Sequence, residues 1–194
     1  MRTETELPAP DLVAEGARQI LATIKADQEF GAFQAASLEY SEDWQCFTGF
    51  PVVANWNLEN DAPTLFEEGL RALALKAAVH ALTVDERAAE IPIAVPVDEM
   101  THAMLAQAQL LTRIADAHGI SVIHQTDQEH TDYSAGGYTH ECYRRAWGEP
   151  PARYWLDHEE VVRRRGVLAG LYESIGMGRS GREHQLDFAE PVAA

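Results

Sequence analysis

Residues 124–142, HQTDQEHTDYSAGGYTHEC, gather His124, His130, His140 and Cys142 with the carboxylates of Asp127, Glu129, Asp132 and Glu141. Imidazole, thiolate and carboxylate are the groups that hold zinc and other divalent transition metals, and imidazole also titrates nearest neutral pH. Two chemistries follow. A metal site here would take His124, His130 and His140 as ligands. A metal-free site would use His124 or His130 as general acid or base, with Asp98 or Asp127 orienting the ring. The spacing matches no established ligand pattern, because His124 and His130 stand six residues apart and His140 and Cys142 straddle one, giving neither CxxC nor HxxxH. Gly136 and Gly137 suit a turn.

Three further patterns are weaker. Glu99 and His102 form an ExxH of the kind that serves di-iron bundles, which need a second ExxH on another helix, and the nearest candidate, Asp127 with His130, falls in a loop. Gly176, Gly178 and Gly181 spell GxGxxG without the preceding strand and following helix that a dinucleotide requires, so they read as a cap and linker. Cys142 beside His140 lacks the surroundings of a nucleophile and reads as a packed thiol. With only Cys46 as companion it predicts no disulfide framework, and both cysteines are expected free.

The elements that must position these groups follow from periodicity. Leu12, Ala17, Ile20, Leu21 and Ile24 trace one helical stripe over 10–27. The aromatic-rich 30–60 stretch suits short strands, best over 50–55. Thr64 and Glu67 have capping-box spacing at the start of a helix over 63–82. An apolar run at 91–95 reads as a strand, although Pro92 lacks a ladder donor. Asp98 stands at an N-cap position before a helix that Gly119 ends, and 120–123 reads as a third strand. Beyond the histidine-rich loop, a short helix is expected over 138–147, and a last one opens at the Asp157–Glu160 capping spacing and closes at Gly176.

Strand, helix, strand, helix, strand predicts an α/β fold, a small three-layer βαβαβ core with additional N- and C-terminal helices. The alternative is α+β, a helical layer on a small antiparallel sheet. A single globular domain is expected over 1–176, with a loosely ordered tail over 177–194. In a parallel sheet, ligands bind beyond the carboxyl ends of the strands. That edge would collect Asn55, Asn57, Asp98, His124, Gln125 and Asp127, with Asn55, Asn57 and Gln125 contacting the ligand.

Composition bounds the partners. The chain has 194 residues and a formal charge of −16, which repels phosphate backbones and disfavours direct nucleic-acid binding. The late arginines, Arg144, Arg145, Arg153 and Arg163 to Arg165, read as balance for local acids. No run reaches membrane-spanning length and MRTETELPAP lacks signal-peptide character, so a cytoplasmic protein is expected. The functional expectation is a small-molecule-binding protein or an enzyme of hydrolase or group-transfer type acting on a small polar ligand, with zinc or another divalent metal as the candidate cofactor. Its rival is a non-catalytic acidic interaction protein, such as an inhibitor, a mobile-element accessory factor or an assembly subunit, meeting a basic partner surface.

Overall fold

The computed structural model describes residues 6–41, 58–125, 131–174, 177–180 and 183–186. Eight helices follow one another through these residues: α1 Pro10–Ala26, α2 Phe30–Ser41, α3 Leu58–Thr83, the single turn α4 Glu86–Ala89, α5 Val95–Leu105, α6 Ala108–His118, α7 Tyr138–Trp147 and α8 His158–Ser174. The only strands among the described residues form a terminal antiparallel hairpin, β1 Met177–Ser180 with β2 Glu183–Leu186, in which Met177 faces Leu186.

Helix α3 organises the core. Every residue over 72–79 is buried, and a helix that is apolar on all sides is stable only when other elements surround it. α1 lays Val13, Ala17, Leu21 and Ile24 against α3, and α7 packs on both α1 and α3. α5 crosses α3 where Gly69 supplies room, since a Cβ there would lie 2.8 Å from Met104 Cε. α2 closes the adjacent side through Phe33 and Phe66, whose ring centroids are 5.7 Å apart.

Two buried carboxylates of α3 tie down the segment that follows α7. Glu68, 2% exposed, accepts hydrogen bonds from Tyr143 Oη at 2.7 Å, Trp155 Nε1 at 2.8 Å and Arg71 Nη1 at 3.0 Å. Asp61 takes both arms of Arg153 at 2.8 and 2.7 Å and the Tyr154 hydroxyl at 2.9 Å. Asp157 then caps α8, accepting from the amide of Glu159 at 3.0 Å, while Val161 docks that helix on Val95 and Leu156.

The α/β expectation is overturned. Residues 91–94 are irregular chain, buried except for half-buried Pro92, and pair with no strand, because Pro92 has no donor to offer a ladder and Pro96 starts α5 almost at once. Residues 120–123 are likewise unpaired chain leading away from Gly119, which ends α6 in the left-handed conformation at φ 63°. The first part of the 30–60 stretch is helical, and the favoured strand over 50–55 lies outside the described residues. No sheet exists among the described core residues, so neither a βαβαβ core nor a helical layer on a sheet is supported. Asp98 lies within α5, whose N-cap is Ala94, and does not open that helix. A break at 106–107 divides the helix expected from 98 to 119 into α5 and α6. No helix among the described residues is long and apolar enough to cross a membrane.

Candidate functional site

A strand-end crevice has no basis in this architecture, yet two of the residues assigned to it meet by another route. Asp98 is held on the inner side of α5, 5% exposed, and His102 follows one helical turn later on the same face. His124 arrives from the segment after α6, where Ile123 is buried as an anchor. Its ring is only 3% exposed.

The Asp98 carboxylate stands between the two imidazoles. Its Oδ2 lies 3.7 Å from His102 Nε2 and its Oδ1 lies 3.8 Å from His124 Nε2. The rings meet edge to face with centroids 5.0 Å apart. One ligand atom from each of Asp98, His102 and His124 falls within 4.8 Å of the others. Bonds of about 2.0–2.2 Å to one ion bring such atoms to about 3.0–3.5 Å apart, so closing on an ion takes shifts of roughly an ångström or less. Glu99 approaches the other face of His102, with Oε2 3.7 Å from Nδ1, where an orienting carboxylate behind a metal-bound histidine belongs. The His102 and Glu99 side chains are 19% and 21% exposed, so the cluster reaches solvent on that side.

Behind His124 lies a buried ion pair. Lys76 Nζ is 2.6 Å from Glu90 Oε2, with the two side chains 3% and 2% exposed, and 3.4 Å from His124 Nδ1. Burial, the Lys76 ammonium and His102 together push the His124 pKa down to about 3, so the ring is neutral and retains a lone pair at neutral pH. His124 Nε2 and Glu90 Oε1 are buried atoms without a hydrogen-bond partner. The turn α4 delivers Glu90: Asp85 caps it through the amides of Arg87 and Ala88, leaving Glu90 at its C-terminal end.

Other predicted site residues go elsewhere. His140 Nδ1 lies 2.7 Å from the Tyr133 hydroxyl and its Nε2 3.5 Å from Glu149, outside the group formed by His124. Burial pushes the Tyr133 phenol up to about 12. Gln125 follows His124, half-buried. Asn55, Asn57, Asp127 and His130 lie outside the described residues. Cys142 is a free thiol, fully buried, and burial pushes it up to about 11, which suits packing rather than nucleophilic attack. Cys46 lies outside the described residues. Arg144 and Arg145 pair with Glu141, and Arg163 and Arg164 with Glu160, so these arginines do balance local acids.

Sequence reasoning misses the Lys76–Glu90 pair and assigns His102 only to a di-iron pattern. One signal was available for Lys76: it is one of only two lysines and stands alone in the apolar run LALKAAVHAL.

A separate groove of about 530 Å³ runs between α1, the end of α3 and residues 118–121, with Leu12, Ile20, Ala81 and Leu82 in its walls. His118, at its edge, is engaged by Asp27 at 2.9 Å. Comparison of the chain with protein-family profiles, with curated proteins and with solved structures finds no match in any of the three.

Proposed function

We propose that this chain binds a divalent transition metal through Asp98, His102 and His124, as a mononuclear two-histidine, one-carboxylate centre. The convergence of these three ligand atoms within 4.8 Å, on a wall where the His124 ring is 97% removed from solvent and its Nε2 has no hydrogen-bond partner, carries the reading. The donor set suits zinc or iron(II), since imidazole and carboxylate are the ligands both accept. Three protein ligands leave coordination positions for water and for a small polar substrate, the arrangement of catalytic rather than structural metal sites. A metal there would lower the pKa of a bound water and polarise a carbonyl or phosphoryl oxygen, which supports a hydrolytic or group-transfer reaction.

Metal analysis of protein purified without a histidine tag, followed by calorimetric titration of the metal-depleted protein with zinc and with iron(II) under anaerobic conditions, tests this directly. One equivalent is expected to bind to the wild type and none to Asp98→Asn or His102→Ala. Equal binding by these two variants and the wild type would overturn it.

A further inference from the structure

We infer that Lys76 is a built-in place-holder cation that opposes metal loading of His124, and that Glu90 is the carboxylate that takes over the Nδ1 side of that ring when the metal binds. The inference rests on the three-residue centre proposed above and adds its control. An ammonium carries donors only, so the 3.4 Å approach of Lys76 Nζ to His124 Nδ1 is favourable when Nδ1 holds the lone pair and Nε2 the hydrogen. That Nε2–H then faces Asp98 Oδ1, 3.8 Å away. Coordination through Nε2 needs the opposite tautomer. The hydrogen must sit on Nδ1, where it would meet an ammonium, donor against donor.

Metal-bound histidines resolve this by donating the second N–H to a carboxylate or carbonyl. Glu90 is the carboxylate on this side. Lys76 holds its Oε2 at 2.6 Å, while its Oε1 is buried with no partner. Loading therefore exchanges one contact for another: Lys76 yields Nδ1 and stays on Glu90, and Glu90 Oε1 accepts the new Nδ1–H. The hydrogen moves from one ring nitrogen to the other, the ring stays neutral, and Lys76 and Glu90 keep their charges. In the metal-free form Lys76 fixes the non-binding tautomer, so part of the metal's binding energy is spent reversing it.

Titration with zinc at one fixed pH separates the parts. Lys76→Met is expected to tighten zinc binding by about tenfold or more, and Glu90→Gln in that Lys76→Met background to reverse the gain, in line with the 10- to 100-fold effects of groups behind metal ligands. Nitrogen NMR of the full-length wild type gives a readout that survives a poorly folding variant: the His124 hydrogen should sit on Nε2 before zinc and on Nδ1 after it. A Lys76→Met protein that folds and binds zinc no more tightly would overturn the inference, as would an Nδ1–H ring in the metal-free wild type. If Asp98→Asn and His102→Ala lose zinc in the same series, such a failure concerns Lys76 and Glu90 alone. If those variants keep zinc, the centre itself is misplaced.

Discussion

Tyr143 donates its phenolic hydrogen to Glu68 at 2.7 Å in the interior, binding α7 to α3 through a carboxylate that is 2% exposed. Trp155 and Arg71 complete the coordination of that carboxylate, and the Arg71 guanidinium lies 5.7 Å from the Tyr143 ring centroid and 5.5 Å from that of Trp147. Tyr143→Phe removes one donor and keeps the ring, so it should cost about 1–3 kcal/mol and lower the melting temperature by several degrees. Glu68→Leu, which removes the acceptor of both aromatic donors and leaves Arg71 only Glu67 as an acidic partner, should cost more. Thermal unfolding of the two variants checks the order, and a Tyr143→Phe protein as stable as the wild type would contradict this account of the joint.

Metal should stabilise the folded chain by mass action. At a free concentration of about 100 times the dissociation constant the gain is about 2.7 kcal/mol, which for a chain of this length raises the melting temperature by roughly 5–10 °C. Asp98→Asn should abolish the shift. The measurement is a melting curve with zinc and with a chelator, and an unchanged melting temperature in the wild type removes the proposed centre.

The neutral state of His124 predicts a pH dependence of definite sign. In the folded protein its pKa is down to about 3, against an ordinary value of 6.5. Between these values the unfolded chain binds more protons, so stability rises with pH across the window, is complete above 6.5, and is lost as the pH falls through it. At about pH 4.5 the loss is about 2–3 kcal/mol. Lys76, Asp98 and His102 face the ring, with Glu90 behind Lys76 and Glu99 behind His102, and other carboxylates such as Glu141, which Arg144 holds below its ordinary range, act in the same direction. The difference between wild type and His124→Gln, with chelator present, isolates the ring. It should shift in favour of the variant on acidification, and parallel curves would refute the assignment.

Removing Lys76 leaves Glu90 a buried carboxylate without its cation. Lys76→Met should therefore lower the stability of the metal-free protein by about 3–5 kcal/mol, in contrast to its expected gain in zinc affinity. Denaturant unfolding of the chelated protein is the check, and a loss below about 1 kcal/mol would mean that the pair is far better solvated than its burial indicates.

Val84, between α3 and α4, is a β-branched residue at φ 53° with 82% of its surface exposed. The left-handed conformation costs such a residue about 1–2 kcal/mol, whereas asparagine tolerates it. Val84→Asn should raise the denaturant midpoint by an amount equivalent to about 0.5–1 kcal/mol with an unchanged slope. A lowered midpoint would show that the valine side chain makes a favourable contact that outweighs its strain.

Helices were the legible part of this sequence. The three- and four-residue spacing over 10–26, the capping residue Asp157 and the turn-bounded 138–147 segment each announce a helix that the structure contains. The apolar runs at 91–95 and 120–123 mislead because a short buried run has the same composition whether it pairs in a sheet or threads between helices, and only Pro92, in the first of them, argued for the latter. Asp98 and His124 were legible as chemical residues, although the reason for placing them together, a shared sheet edge, does not exist. What joins them is the return of the chain after α6, a long-range packing event with no local signature. Lys76 stayed hidden because a charge inside an apolar helix is normally read as a solvated position, and Glu90 because a carboxylate just past a one-turn helix has no local signature of burial.

Cys142 is sealed beneath α7 and carries a thiol that burial keeps protonated. In a Cys46→Ser background it becomes a built-in clock. An alkylating reagent can reach the sulfur only during moments when α7 lifts away, so the labelling rate reads the frequency of that excursion without any denaturant.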